Sequence, residues 1–320
     1  MKKNQIKNLT LLLCSNFLAV ACAVKPTVTH ETVQRQFLGG PALLKPIQLS
    51  EDVVVVDARS SFDYSMARVP RSVQVNWVDY SEVEPNLRGW PQRDLFAAAR
   101  RLARLGIDPS SPVVVLGLGK NGQGEEGRVA WLLSYLGVRD VRFAKFDAVK
   151  KRITTEALPV ARETPEDRLL DEGDSSFASS AKTPSEPPPK ASPIWKPEIV
   201  SSLIVREPEF KKAVLPESRV KIIDVRPAKE YLGTQGGMRS KSIPNIEALN
   251  VPWKEFFTDD FRPDPEIAPK LQSVNVTPDL RIIVIDNDGV AASAVTMALR
   301  ALGFEKAGVY AGGYNDLLSR

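Results

Sequence analysis

Short runs of purely apolar residues recur along this chain. Residues 53–56, 113–116 and 282–285 contain only Val, Leu and Ile. A half-buried strand alternates polar and apolar side chains, whereas a strand covered on both faces shows a continuous apolar run. Stretches with helical spacing lie between the runs, and two of them end at Gly137 and Gly303, glycines suited to terminate a helix. The pattern predicts an α/β fold with mainly parallel sheets and helices on both faces.

The same pattern occurs twice in the chain. Two segments 167 residues apart share one register of acid, arginine and tyrosine: Asp57-Ala-Arg59-Ser-Ser-Phe-Asp63-Tyr64 and Asp224-Val-Arg226-Pro-Ala-Lys-Glu230-Tyr231. Each copy continues with an apolar-proline pair, a tryptophan, a helical stretch, an apolar strand and a further helix. The repetition predicts two domains that arose by duplication.

The residues between and before the two copies differ in composition. We expect a first domain over 42–160 and a second over 198–320, because each range contains one copy. Residues 161–197 are rich in Pro, Ser and Glu. Such a segment buries too little apolar surface to fold alone, so it is interpreted as an extended linker. Trp195 is the exception, and we expect it to dock on a neighbouring domain.

The N-terminal residues have the features of an export signal. Lysines precede an apolar stretch too short to span a bilayer, and small residues follow it. We expect residues 1–21 to form a signal peptide and 22–41 a tether. Leu18-Ala-Val-Ala-Cys22 resembles a bacterial lipobox, which implies lipidation of Cys22. The alternative is a plain signal peptide, and we favour lipidation. Either way the protein is expected in the bacterial cell envelope, anchored to the membrane or periplasmic.

Charge and cysteine content exclude several classes of function. The net charge of +4 includes three lysines and no acid from residues 1–21, so 40 basic and 39 acidic residues remain. This balance argues against a nucleic-acid partner. The chain contains two cysteines, Cys14 and Cys22, so the predicted domains have neither a disulfide nor a thiol nucleophile. The sole histidine, His30, lies in the tether, and we expect no metal site and no cofactor.

Several motifs of the second half stand in the order of a known family. They are Asp224-Val-Arg226 with Glu230-Tyr231, Asn250-Val-Pro-Trp253, Gly289-Val-Ala-Ala-Ser293, Ala301-Leu-Gly-Phe304 and Tyr310-Ala-Gly-Gly-Tyr314. With Arg128-Val-Ala-Trp131 in the first half, they resemble the tandem-domain rhodanese-like sulfurtransferases, which act on thiosulfate or 3-mercaptopyruvate. The resemblance implies two rhodanese-like domains, the first of the non-catalytic type and the second of the catalytic type.

The resemblance places the nucleophilic cysteine of that family at Asp286. In the family, backbone N–H groups at the start of a helix stabilise a thiolate, which takes up a sulfur atom and passes it on. Asp286 keeps the negative charge but cannot carry sulfur, and together with Asp288 it opposes binding of an anionic donor. The expected remnant of the pocket comprises Asp286, Asn287, Asp288, Gly289, Val290, Ser293, Arg226 and Arg239.

The residues of this remnant have different expected roles. For Arg226 we favour a structural ion pair with a buried acid of the same domain over contact with a substrate. For Arg239 both interpretations remain open. For Asp286 we favour capping of the following helix, since Asp is a preferred capping residue.

Two other enzyme classes fit parts of the chain. Ile283-Val-Ile-Asp286-Asn-Asp288-Gly resembles the first motif of the haloacid dehalogenase phosphatases, with a nucleophile, an acid/base and Mg²⁺. We do not expect that chemistry, because the motif normally opens its domain and the chain continues only to Arg320. The glycine-rich residues 117–128 resemble a phosphate cradle, but they lack a Gly-Lys-Ser/Thr ending and carry Glu125 and Glu126. A mobile surface loop is expected there.

The sequence therefore predicts an exported, lipid-anchored rhodanese-like protein that is inactive as a sulfurtransferase. Its expected role is binding or scaffolding with an unidentified protein partner at the cell envelope. The alternative is an enzyme of altered chemistry, sulfurtransferase-like or hydrolase-like, that uses Asp286 and Asp288.

Overall fold

The computed structural model describes Leu43, Ile47 and residues 49–155, 195–233 and 246–319. Each half of the described chain contains a parallel sheet with the same order. The first has order β2-β1-β3-β4 and comprises β1 (Val54–Asp57), β2 (Val73–Gln74), β3 (Pro112–Gly117) and β4 (Asp140–Lys145). The second has order β6-β5-β7-β8 and comprises β5 (Lys221–Asp224), β6 (Leu249–Asn250), β7 (Ile282–Ile285) and β8 (Ala307–Val309).

Helices connect the strands in both halves. The first half contains α1 (Ser61–Met66), α2 (Leu95–Arg104) and α3 (Glu125–Tyr135). The second contains α4 (Glu207–Ala213), α5 (Ala228–Tyr231), α6 (Ile267–Ser273), α7 (Val290–Ala301) and α8 (Gly313–Leu318). Short 3₁₀ helices supplement them, at Trp77–Tyr80, Pro85–Leu87, Gly119–Asn121, Phe146–Arg152, Ser201–Leu203 and Trp253–Phe256. The predicted α/β fold with parallel sheets is confirmed.

The central strands carry the continuous apolar runs. Every residue of β7 is buried, and in β3 all but Pro112 are buried. Because side chains alternate between the two faces of a strand, this pattern requires both faces of each sheet to be covered. The helices that follow, α3 and α7, end two residues before Gly137 and Gly303, whose φ angles are 96° and 94°. The predicted glycine termini of these helices are confirmed.

The two halves pack against each other through α3 and α7. Gly127 lies so close to α7 that a Cβ atom there would stand 2.3 Å from Cβ of Ala294. Trp131 of α3 is fully buried, and its indole N–H donates to the carbonyl of Leu203 in the second half at 3.2 Å. Trp195, expected to dock on a domain, is buried in the same apolar core. The loops that lead into α3 and α7 therefore end at one shared helix pair.

Several predicted segments fall outside the described residues. They are the signal peptide with Cys22, the tether with His30, and the linker up to residue 194. The predicted domain boundaries remain predictions for this reason. Among the described residues, no helix combines the length and the apolar character that crossing a bilayer requires.

The contact between Gly127 and Ala294 gives a test of the helix pair. Replacing a glycine inside a helix by alanine ordinarily stabilises the helix by about 1 kcal/mol. Here we expect Gly127→Ala to lower the free energy of unfolding by roughly 1–3 kcal/mol, because the added methyl group overpacks the contact. Denaturant unfolding measures the change. Adding Ala294→Gly to the same molecule should recover part of the loss, and a stabilised Gly127→Ala protein would contradict the described packing.

Candidate functional site

The loop between β7 and α7 is the centre of the candidate site. It comprises residues 286–289, and Gly289 stands directly before the helix with a φ angle of 78°. A side chain at Gly289 is excluded, since a Cβ atom there would lie 2.1 Å from the carbonyl oxygen of Ala311. The start of α8 holds the other side of the loop, where the backbone N–H of Tyr314 donates to the carbonyl of Asp286 at 2.9 Å.

The carboxylate of Asp286 points into the start of α7. One oxygen accepts the backbone N–H of Gly289 at 2.5 Å, and the other accepts the N–H of Ala292 at 3.0 Å. Asp286 is 5 % exposed. The expected capping role is therefore present, although Gly289 and not Asp286 stands at the position immediately before the helix. The positive end of the helix dipole favours this arrangement.

The surroundings of Asp286 act on its pKa in both directions. Removal from water raises the pKa of this carboxyl to about 7, and the nearby charge of Asp288 acts in the same direction. The N–H groups of Ala292 and Gly289 and the charge of Arg128 oppose the rise. The loop thus holds a carboxyl group whose protonation changes near neutral pH.

Arg128 reaches this loop from the first half of the chain. It lies on α3, is 2 % exposed, and donates to the hydroxyl of Ser293 at 3.1 Å and to the carbonyl of Gly89 at 2.6 Å. Burial lowers the pKa of its guanidinium to about 10, while Asp288 and Asp286 act in the opposite direction. Arg128 therefore stays cationic at neutral pH and partly balances the two carboxyl groups. Sequence analysis noted Arg128 only as part of a motif and assigned it no place in the pocket.

A segment of the first half covers the loop. A Cβ atom at Gly89 would stand 2.4 Å from the carbonyl oxygen of Asp288, so only glycine permits this approach. The next residue, Trp90, donates its indole N–H to Asp316 of α8 at 3.2 Å. This segment therefore packs directly on the backbone of the loop and on α8.

The predicted pocket residues separate into two groups. Asp286, Asn287, Asp288, Gly289, Val290 and Ser293 lie together in the loop and the first turn of α7. Asn287 is exposed, and its amide donates to Glu230 at 2.8 Å. The hydroxyl of Ser293 donates to the carbonyl of Gly289 at 2.6 Å, which fixes the turn. Arg239 lies outside the described residues.

Arg226 has the structural role favoured from the sequence. Its guanidinium donates to both oxygens of Asp224, the shortest contact being 2.7 Å, and Asp224 is fully buried. The hydroxyl of Tyr314 donates to the same carboxylate at 2.9 Å, and the ring of Tyr314 lies 3.8 Å from the guanidinium carbon. Asp57 and Arg59 form the equivalent pair in the first half at 2.7 Å. The repeated acid and arginine therefore serve the fold in both halves.

The equivalent loop of the first half differs from its prediction. The expectation of a mobile surface loop over 117–128 is wrong for the second part of that segment, because α3 begins at Glu125 and Glu126 is fully buried. Glu126 accepts the backbone N–H of Gly119 at 2.6 Å, and burial raises its pKa to about 8. Gly119 and Glu126 are both buried, which the local glycine-rich pattern does not reveal.

The described residues offer no cluster of three or more His, Cys, Asp or Glu side chains suited to a metal ion. The charged groups at the loop are Asp286, Asp288 and Arg128. Both oxygens of Asp286 already accept N–H groups of the helix start.

The sequence of this chain is similar to those of known proteins. The profile of the rhodanese-like domain family matches residues 41–145 and 208–320. Thiosulfate sulfurtransferase YnjE of Escherichia coli is 24% identical over 266 residues, which cover 79% of this chain and 54% of the relative. The chain thus spans about half the length of that relative.

Solved structures share the fold at low sequence identity. SseA of Escherichia coli, whose structure is described as that of a 3-mercaptopyruvate sulfotransferase, matches with a TM-score of 0.61 and 20% identity. The match covers 83% of this chain and 94% of SseA. Tum1 of Saccharomyces cerevisiae matches with a TM-score of 0.61 and 17% identity, over 85% of this chain and 90% of Tum1.

Proposed function

Since this chain belongs to the family of rhodanese-like domains, we propose that it keeps the fold of the tandem-domain sulfurtransferases without their sulfur-transfer chemistry. In this proposal, Asp286 stands where the catalytic-type domain of the family carries its cysteine. The chain has no cysteine after Cys22, so no other residue of its two domains supplies a thiol. A carboxylate cannot form the persulfide that carries sulfur between donor and acceptor.

One observation supports the proposal most strongly. The two carboxylate oxygens of Asp286 accept the N–H groups of Gly289 and Ala292, at the helix start where an anionic sulfur would be stabilised. The side chain thereby fills the position of the anion with its own oxygen atoms. An external anionic donor would have to displace hydrogen bonds that are already formed and approach two carboxyl groups.

The proposal includes a place of action, which the N-terminal residues support. We propose export, lipidation at Cys22 and a position in the bacterial cell envelope, on the basis of the basic, apolar and small residues that precede Cys22. The role that fits a fold without its nucleophile is binding or scaffolding with a protein partner, and the membrane is reached through the lipid.

The competing hypothesis of an enzyme that uses Asp286 and Asp288 receives less support. A nucleophilic carboxylate must face its substrate, whereas Asp286 is 5 % exposed and directs both oxygens to backbone N–H groups. Titration with Mg²⁺ and phosphate esters tests it, because the proposed binding module should produce no heat with either.

A direct assay tests the main proposal. We expect purified protein to catalyse neither thiosulfate-to-cyanide nor 3-mercaptopyruvate-to-thiol sulfur transfer above the rate of an Asp286→Ala protein. Both proteins lack a thiol nucleophile in their domains, so their rates should match the uncatalysed reaction. Turnover by the wild-type protein that is lost in Asp286→Ala would overturn the proposal.

A further inference from the structure

A cavity of about 350 Å³, widely open to solvent, lies where the two halves of the chain meet. Residues of the segment 82–95 in the first half and Arg206 in the second half line it. Its volume falls in the range of roughly 300–1,000 Å³ that small-ligand sites occupy. We propose that this cavity binds a small organic carboxylate with an apolar body.

Arg206 supplies the cationic group. Its side chain donates to the hydroxyl of Tyr135 at 3.2 Å, and its guanidinium carbon lies 5.4 Å from the ring centre of Trp90. These contacts hold the guanidinium at the cavity. Within the described residues it forms no ion pair. A guanidinium has five N–H donors in a planar fork, so most of them remain for the two oxygens of a carboxylate.

The other polar groups of the cavity are already engaged. Arg93 pairs with Glu82 at 3.5 Å, which leaves no net charge from that pair. The amide of Gln92 accepts from Arg101 and donates to the carbonyl of Asp94 at 2.6 Å. Two arginines and one glutamate give the lining a net charge of +1, and Arg206 carries it. The charge therefore selects an anion.

The remaining lining residues are apolar. Leu87, Trp90, Pro91 and Leu95 line the space together with Arg206. They would contact one side of a ligand's hydrocarbon part, and each Å² of apolar surface removed from water in this way contributes about 25 cal/mol. An inorganic anion would gain only the charge contact, whereas an aromatic or aliphatic acid would gain both contributions.

The cavity is separate from the loop at Asp286, and the inference does not rest on the proposed function. Trp90 nevertheless connects the two, because its indole N–H bonds to Asp316 and its ring packs edge-on against Tyr310 at 5.3 Å. A bound ligand would contact Trp90 and Arg206 together and so bridge the two halves. We therefore expect ligand binding to raise the temperature at which the protein unfolds.

Isothermal titration of the full chain tests the inference. The probes are phenylacetate, 3-phenylpropanoate and hexanoate, each compared with its uncharged amide. We expect at least one carboxylate to bind with a Kd on the order of 1 mM or tighter, and its amide to bind about tenfold more weakly. Arg206→Gln should weaken the carboxylate about tenfold and leave the amide unchanged. Arg206→Lys keeps the positive charge but lacks the planar guanidinium. Its affinity for the carboxylate should therefore lie between those of the wild type and of Arg206→Gln.

Arg100→Gln is the matched control, since Arg100 is an exposed arginine of α2 that does not line the cavity. It should bind like the wild-type protein, and thermal unfolding establishes that each variant is folded. Three results would overturn the inference: no heat with any carboxylate, equal affinity for acid and amide, or binding that Arg206→Gln leaves unchanged.

Discussion

Asp286→Asn is expected to make the protein less stable than the wild type at acidic pH and more stable at alkaline pH. The wild-type carboxyl has its pKa raised to about 7 by burial and by Asp288, from an ordinary value of 3.8. Between these values the folded protein holds a proton that the unfolded chain has released. Stability of the wild type therefore falls as pH rises from about 4 to about 7 and then levels off.

The asparagine variant lacks this dependence because its amide does not titrate. One N–H group, of Gly289 or Ala292, would face the amide nitrogen instead of an oxygen, at a cost of about 1–3 kcal/mol at every pH. The wild type loses an amount on the order of a few kcal/mol across the pH window. The difference between the two proteins should therefore change sign as pH rises.

Urea unfolding of both proteins from pH 4 to pH 9 measures this difference. Both proteins must be measured because Glu126 has a pKa raised to about 8. Its titration lowers the free energy of unfolding of each protein further as pH rises. Asp259→Asn, at a fully exposed side chain, serves as the control and should follow the wild type. Asp288→Asn should reduce the pH-dependent change in the free energy of unfolding, since it removes a charge that raises the pKa of Asp286. A constant difference between wild type and Asp286→Asn would show that Asp286 is ionised in the folded protein throughout.

The strands and the duplication could be predicted because their causes are local. Continuous Val and Ile runs mark strands covered on both faces, and β3 and β7 are buried accordingly. The ion pair of Asp224 and Arg226 is local as well, because two residues at one strand end reach each other without any other element. Its recurrence as Asp57 and Arg59 follows from the repeat.

Contacts between the halves could not be predicted in the same way. Arg128 and Ser293 are 165 residues apart, and they meet only because α3 packs against α7. Glu126 stands in a sequence of two adjacent glutamates that is typical of a solvated surface, yet packing buries it against Gly119. The contact of Arg128 depends on the partner helix, which the sequence around Arg128 does not specify. The sequence placed Asp286 and its neighbours in one loop but did not identify the arginine that lies beside it.

The second large effect is the uptake of sulfur that we expect for Asp286→Cys. The introduced sulfur would lie at the N–H groups of Gly289 and Ala292, at the start of α7, with Arg128 nearby. Helix starts and adjacent cations lower the pKa of a thiol and favour the reactive thiolate. That thiolate would attack the outer sulfur of thiosulfate, form a new sulfur–sulfur bond and release sulfite. The variant should therefore acquire a sulfur atom that the wild type cannot hold.

Intact-protein mass spectrometry after incubation with thiosulfate is the most direct test of the central claim, which is that Asp286 occupies the position of the family's sulfur-carrying cysteine. Both proteins should carry Ser in place of Cys14 and Cys22, so that the introduced thiol is the only one present. We predict that the Asp286→Cys protein gains the mass of one sulfur atom, which dithiothreitol removes, and that the protein with Asp286 gains none. Sulfur uptake by the protein with Asp286, or no uptake by a folded Asp286→Cys protein, would contradict the claim.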